Sequence, residues 1–134
     1  MGPTRRGKGT KLMAVCDGNG RPLSIDVASA SPGEVTLVDA VLDRLWSAEP
    51  PQRLIGDRAY DSDRLDADLA QRGIEMIAPN RRNRRQTQDG RPLRRYRRRW
   101  KIERLFAWLH NFRRIVTRWE VYPQIYRGFV ELGR

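Results

Sequence analysis

The chain has 134 residues, enough for one domain with a modest core, and its single cysteine, Cys16, excludes an internal disulfide or a cysteine-rich zinc cluster. Its 27 Lys and Arg against 16 Asp and Glu give a formal charge of +11, which favours a polyanionic partner such as nucleic acid over a membrane. No apolar run reaches membrane-spanning length and the first residues lack the apolar core of a secretory signal, so we predict a cytoplasmic protein with no membrane partner.

The first part of the chain predicts a basic lead-in followed by a β-hairpin. Residues 1–9 are basic and contain Gly and Pro, which is typical of an unstructured segment. Thr10–Cys16 and Pro22–Ala28 have strand-like composition and flank the sequence Asp17-Gly-Asn-Gly20, a strong hairpin signal. We therefore interpret Asp17 as a turn residue and not as a catalytic acid.

A helix is predicted after the hairpin. Ser31 has the position of an N-cap, Pro32 of the first helical residue, and Glu34 of the capping-box acid three residues on. Apolar residues recur at helical spacing between positions 35 and 45, and Glu49-Pro-Pro51 ends the pattern.

The middle of the chain predicts a strand, a helix and a second strand. Arg53–Asp57 is a short apolar strand that carries an aspartate at its C-terminal end, and Ile74–Ala78 is another. Between them, a helix from about Asp63 to Arg72 ends at Gly73, with two leucines facing inward, Leu65 and Leu69. We interpret Asp63 as the helix cap and Asp61 as a loop residue.

Residues 79–95 are rich in arginine with almost no apolar side chain, and predict a mobile basic loop. One long helix follows, from Tyr96 to about Arg114. At 3.6 residues per turn, one ridge of that helix carries Tyr96, Arg99, Glu103 and His110. Arg97, Lys101 and Arg104 flank the ridge, and an apolar stripe beside it contains Ile102, Leu105, Phe106, Leu109, Phe112 and Val116. A final helix is predicted after Tyr122-Pro123.

This order of elements predicts an α/β domain with a mixed sheet and flanking helices. Asp57 and Glu103 are the candidate catalytic pair. Open α/β sheets place ligands at the C-terminal ends of strands, where Asp57 is predicted, and Mg²⁺ prefers carboxylate oxygens. On helical geometry alone, Glu103 is equally well explained as the partner of an arginine on a solvated helix. An exposed polar role explains His110 as well as a functional one does.

Several segments resemble bacterial insertion-sequence transposases of the DDE type, which have an RNase-H-like fold. The similarity runs across nearly the whole chain and is carried by Lys8–Val15, Ile55–Ser62, Ala78–Arg84, and Tyr96-x-x-Arg99-x-x-x-Glu103 followed by Phe112-Arg-Arg114. In that family three acidic residues bind two Mg²⁺ ions. The resemblance implies that Asp57 is the second acid and Glu103 the third, and that Tyr96 and Arg99 are signature residues.

Two departures from the family pattern qualify the resemblance. The signature's basic residue seven positions after the glutamate is usually lysine, and here it is His110, which is only fractionally charged at neutral pH. The family's first aspartate precedes the Gly7–Lys11 segment on a middle strand, and residues 1–9 contain no acid. We therefore expect residues 1–134 to be a partial catalytic domain whose first strand is missing and whose C-terminus is clipped.

Two functions follow as expectations. The first is DNA transposition: metal-dependent phosphodiester hydrolysis and strand transfer at insertion-sequence ends, with Tyr96, Arg97, Arg99, Lys101, Arg104 and His110 along the DNA. The chain alone would bind Mg²⁺ weakly and be inactive, and would need the upstream half of the transposase or a homodimer. The second is a non-catalytic, basic DNA-binding remnant, which the charge supports equally well. A general RNA-binding module is the weakest hypothesis. It would need exposed aromatic side chains on a sheet face, whereas the Trp residues are predicted on helices.

Overall fold

The structure, a computed structural model, describes residues 9–47, 49–83, 97–118 and 120–133. The chain forms two compact units, of which the first combines Met1–Ser47 with Lys101–Arg134 and the second is Ala48–Trp100. Both contain helices and strands, which confirms the predicted α/β class. No helix within these ranges is long and apolar enough to cross a membrane. The predicted lead-in, apart from Gly9, and the part of the predicted basic loop from residue 84 onward lie outside the described residues.

The first unit begins with the predicted hairpin. Strand β1 (Thr10–Cys16) pairs antiparallel with β2 (Pro22–Ser29), with a register irregularity between Val15 and Cys16. The turn is held by Asp17, whose Oδ1 accepts backbone N–H bonds from Asn19 at 2.7 Å and Arg21 at 2.9 Å. These bonds hold the pKa of the Asp17 carboxyl below its usual value. Asp17 thus has the structural role predicted for it.

The helix predicted after the hairpin is shorter and capped differently. A 3₁₀ helix (Glu34–Leu37) leads into α1 (Val38–Leu42), and its N-cap is Gly33, with no side-chain cap. The prediction of a capping box formed by Ser31 and Glu34 is therefore wrong. The physical reason is Lys11, whose buried ammonium donates to the Pro32 carbonyl at 2.7 Å and lies 3.0 Å from Glu34 Oε1. Glu34 therefore pairs with Lys11 of the neighbouring strand.

We expect Lys11→Met to destabilise the chain by about 1–3 kcal/mol, because the Pro32 carbonyl and Glu34 lose a largely buried donor. The Lys11 hydrogen bond lowers the pKa of the Glu34 carboxyl below its ordinary value. The stabilisation by this pair is therefore fully present above the unfolded-state pKa and is lost as the pH falls through the lowered folded-state pKa. Glu34 is partly exposed, so solvent screening keeps this pH-dependent part small.

Urea denaturation at pH 7 and pH 3 measures both effects, since the variant and the parent chain should differ less at the lower pH. The matched control is Arg64→Met, which removes an exposed cation paired with Asp68 and should change stability by less than about 0.5 kcal/mol. Equal effects of the two substitutions at pH 7 would contradict the prediction.

Three helices complete the first unit: α3 (Trp100–Leu109), α4 (Arg113–Val116) and α5 (Pro123–Leu132). Their core is formed with strand β2 by Ile25, Leu105, Leu109, Ile115, Tyr126 and Val130. The Tyr126 hydroxyl donates to the Ile115 carbonyl at 2.6 Å. The helix predicted after Tyr122-Pro123 is confirmed, with Pro123 in its first turn.

The prediction of one long helix from residue 96 to about 114 is wrong. The chain leaves α3 after Leu109, and Phe112 adopts an extended conformation before α4 begins. This break directs Ile115 into the core, while Phe112 and Val116, predicted in the buried stripe, are 39% and 47% exposed. Gly133, at the end of α5, packs at the break, where an added Cβ would lie 3.0 Å from Ile115 Cδ1. Tertiary packing thus overrides the helical periodicity.

The second unit is a strand–helix–strand segment. Strand β3 (Arg53–Ile55) runs parallel to β4 (Glu75–Ile77), and α2 (Asp63–Gln71) connects them. The two leucines of α2 are buried as predicted, and Gly73, with φ of +73°, ends the helix as predicted. The cap is not Asp63 but Ser62, whose hydroxyl accepts the Leu65 N–H at 3.4 Å. Asp63 follows in the first turn, where its negative charge interacts favourably with the helix dipole.

The described strands form two separate two-stranded sheets, β1–β2 and β3–β4. Antiparallel and parallel pairings are both present, as a mixed sheet requires, but the described residues do not join them into one sheet. The RNase-H-like arrangement stays a prediction.

Candidate functional site

Asp57 lies where the sequence predicts it, two residues beyond the end of β3. It is the N-cap of a 3₁₀ helix (Arg58–Tyr60), and its Oδ1 accepts the Ala59 N–H at 2.8 Å. The side chain is half-buried. A carboxylate has about four lone-pair positions, so one backbone hydrogen bond fixes its orientation and leaves capacity to bind a cation.

Gly56, directly before Asp57, lies where the chain has no room for a side chain. Its N–H donates to the Ile77 carbonyl at 3.0 Å, which extends the pairing of β3 with β4 by one bond. A Cβ at this buried position would lie 2.6 Å from both Tyr60 Cδ2 and Met76 Cε. The methionine end can move aside, but the tyrosine ring belongs to the turn that carries Asp57. The Gly-Asp pair is therefore a steric requirement of this strand end.

Asp61 has a structural role, in keeping with its interpretation as a loop residue. It is only 5% exposed, and its Oδ2 accepts the Arg81 N–H at 2.6 Å. The Arg81 guanidinium in turn donates to the carbonyls of Arg58 at 3.2 Å and Ala59 at 2.8 Å. Arg81 thus ties the chain after β4 to the turn behind Asp57. Sequence reasoning missed this role because it assigned Arg81 to the mobile basic loop.

Glu103 is exposed in the first turn of α3, in the first unit. It makes an interaction within the chain, so it is not a free carboxylate. Lys101, two residues earlier, donates from its Nζ to the Gly18 carbonyl in the hairpin turn. Arg104, on the other side, is exposed. Glu103 therefore lies on a solvent-accessible and strongly basic part of α3.

The continuous ridge predicted on this helix is interrupted. Arg97 is exposed and Arg99 half-buried in a 3₁₀ turn that precedes α3, both in the second unit. His110 is exposed in the turn that follows the helix. The break that directs Ile115 inward accounts for the C-terminal limit of the helix. Tyr96 lies outside the described residues.

The donor chemistry fits a hard divalent cation, because Asp57 and Glu103 both present carboxylate oxygens. Within the described ranges, no group of three or more His, Cys, Asp or Glu side chains is arranged to hold a metal. Of the predicted acids, Asp57 lies in the second unit and Glu103 in the first.

The pKa of the Cys16 thiol depends on the charges near the end of the hairpin. Burial raises the pKa of its thiol above the ordinary value for cysteine, and Asp17 adds to that effect. Lys101 and Arg104 oppose the rise. The thiol is thus protonated at neutral pH and lies close to two cations of α3.

Comparison with known proteins gives two matches. Residues 2–127 match the family described as "Transposase DDE domain". A Burkholderia cepacia protein named "Putative transposase for insertion sequence element IS402" is 38% identical over 140 residues, which cover 98% of this chain and 64% of that protein. The chain therefore spans less than two thirds of the length of this relative. No solved structure matches.

Proposed function

Because the chain belongs to the transposase DDE domain family, we propose that it takes part in DNA transposition at the ends of a bacterial insertion sequence. The reaction would be phosphodiester hydrolysis followed by strand transfer. The observation that carries this proposal is the placement of Asp57, oriented at the end of β3 by the Ala59 N–H and by the glycine before it. Strand ends of this kind are where α/β sheets hold their ligands.

We propose that Asp57 and Glu103 are ligands for divalent metal, with Mg²⁺ as the natural ion. When bound, the metal would lower the pKa of an attacking water and stabilise the leaving oxygen. The chain's own contribution is to fix the carboxylates: Asp57 through its backbone hydrogen bond, and Glu103 through its place on α3. Two acids in place of three would leave the 134-residue chain with a weak metal site.

The DNA-contacting residues are proposed from exposure and charge. Arg97 and Arg104 are exposed and Arg99 is partly so, and guanidinium groups bind phosphates through paired hydrogen bonds. Such contacts supply affinity without reading sequence. Tyr96 and His110 are proposed from the family signature. Asp61 and Arg81 are not part of this set, since both are used to hold the turn behind Asp57.

We further propose that the strand pairs belong to an RNase-H-like sheet. Both pairing types of such a sheet are present, with β1–β2 antiparallel and β3–β4 parallel. A strand carrying the family's first aspartate would supply the pairing between them. The chain then represents part of a catalytic domain, and its partners would be the transposon ends, target DNA and either the upstream half of the transposase or a second copy.

The test is cleavage of a plasmid carrying the insertion-sequence ends by the full-length transposase. We expect nicking with Mg²⁺ or Mn²⁺ and none with EDTA, because the proposed chemistry requires a metal-bound carboxylate pair. The 134-residue chain should bind the same DNA but leave it intact. Cleavage that persists in EDTA would overturn the metal-dependent reaction.

The alternative is a non-catalytic DNA-binding remnant of a transposase. The charge of +11 favours it as much as it favours the enzyme. Under this alternative, DNA binding would be retained, and neither metal nor the upstream half would produce cleavage.

A further inference from the structure

The turn between β1 and β2 lies against the first turns of α3. The Lys101 Nζ donates to the Gly18 carbonyl. A Cβ placed on Gly20 would lie 3.2 Å from Arg104 Nη2 and 3.9 Å from Lys101 Cβ. Gly20 has φ of +86°, a conformation in which a side chain is strained. The hairpin turn is thus fitted closely to two α3 residues.

These two residues lie on one side of the helix. At about 100° per residue, Lys101 and Arg104 are roughly 60° apart, whereas Glu103 is roughly 160° from Lys101 and 100° from Arg104. The hairpin turn therefore contacts α3 mainly on the side away from Glu103. A contact on that side limits rotation of the helix about its axis, and so limits where the Glu103 carboxylate can point.

The turn is stiff enough to act as a support. Asp17 Oδ1 accepts two backbone N–H bonds, from Asn19 and Arg21. The Asp17 N–H donates to the Arg21 carbonyl at 2.9 Å, and the Gly20 N–H donates to the Asp17 carbonyl at 3.0 Å. Four hydrogen bonds within five residues restrict the conformations available to this turn.

We infer that Lys101 is a positioning residue: it fixes the Glu103-bearing end of α3 on the hairpin turn and does not serve as a phosphate contact. This assignment rests on the proposed function, because it is Glu103 whose placement matters. It replaces the expectation that Lys101 lies along the DNA. The reason is that its ammonium already donates to a backbone carbonyl of the same unit.

The test compares Lys101→Met and Gly20→Ala with Arg97→Met, which removes one exposed cation elsewhere. The first readout is alkylation of Cys16, at the end of β1, in the 134-residue chain. Rates are taken at about pH 8, where the Lys101 ammonium is still charged, and each rate is divided by the thiolate fraction titrated for that variant. We expect this corrected rate to rise about tenfold in Lys101→Met and Gly20→Ala, because the turn leaves α3, and to stay constant in Arg97→Met.

The second readout is the salt dependence of binding to a short DNA duplex. Arg97→Met should make the negative slope of log K against log salt shallower by about 0.9, and Lys101→Met should leave the slope unchanged. In the full-length transposase at saturating DNA, Lys101→Met should reduce the cleavage rate about tenfold with no loss of DNA affinity. That separation of rate from affinity is the mark of a positioning role.

Two results would overturn the inference. One is an unchanged Cys16 alkylation rate in Lys101→Met, and the other is a salt slope made shallower by about 0.9 in that variant, which would make Lys101 a phosphate contact. Neither readout involves catalysis. Failure of the proposed function is seen separately, as cleavage that survives the loss of Asp57 or Glu103.

Discussion

Replacing Asp57 with Asn is expected to reduce transposition by the full-length protein at least about 10³-fold while the fold is retained. Metal-ion stabilisation of a phosphodiester reaction is worth several kcal/mol, and each ~1.4 kcal/mol is a tenfold change in rate. The asparagine oxygen can still accept the Ala59 N–H that Asp57 Oδ1 accepts at 2.8 Å. The turn should therefore keep its conformation, and only the negative charge and the metal affinity should be lost.

The matched control is Asp63→Asn, which removes the same charge six residues away. Asp63 is exposed in the first turn of α2, so its loss should cost a few tenths of a kcal/mol and leave transposition within about twofold. Transposition frequency and thermal unfolding are measured for both variants. If Asp57→Asn transposes at the parent rate, Asp57 is not the second acid of the family, and the candidate site is misassigned.

The elements that local sequence determines were predicted closely. The hairpin follows from a single turn, in which Asp17 and Gly20 supply the side-chain acceptor and the positive φ. Gly73 ends α2 for the same conformational reason. The position of Asp57 beyond β3 required only a short apolar run and the rule for strand ends.

The errors arise where distant residues compete with local signals. Ser31, Pro32 and Glu34 form a convincing capping box in isolation, but Lys11, more than twenty positions away, binds both the Pro32 carbonyl and Glu34. In the segment that carries Glu103, apolar residues recur at helical spacing as far as Val116, but the helix ends earlier. It breaks because the core accepts Ile115 from a different direction. Spacing along one helix cannot contain that information.

The two acids of the candidate site could be proposed from the sequence, but not the contacts that support them. Asp57 could be singled out from its place at a strand end. For Glu103, helical geometry supports a metal ligand and an arginine partner equally, and only the resemblance to the transposases favours the metal ligand. The supports join segments far apart in the chain: Asp61 with Arg81, and Lys101 with Gly18. No short motif encodes such pairs, and the sequence pattern predicts Lys101 along the DNA and Arg81 in a mobile basic loop.

Glu103→Gln should separate catalysis from DNA binding, and so decide between an enzyme and a DNA-binding remnant. The side chain is exposed on α3, so the substitution should change stability by less than about 0.5 kcal/mol. Cleavage by the full-length transposase should fall at least about 10³-fold, because a neutral amide is a weak ligand for a hard cation. DNA affinity should stay the same or rise about twofold, since one negative charge leaves a surface that includes Arg104.

Binding is measured by titration of labelled transposon ends in EDTA and at two salt concentrations, and cleavage of the same DNA is measured in Mg²⁺. Glu131→Gln is the control. Glu131 is a half-buried helical glutamate paired with Arg127 at 2.9 Å, and its loss should leave both readouts close to those of the parent protein. Cleavage lost with binding intact identifies Glu103 as a catalytic ligand, because a residue that only shaped the basic surface would change the binding as well. Cleavage retained in Glu103→Gln would exclude Glu103 from the metal site.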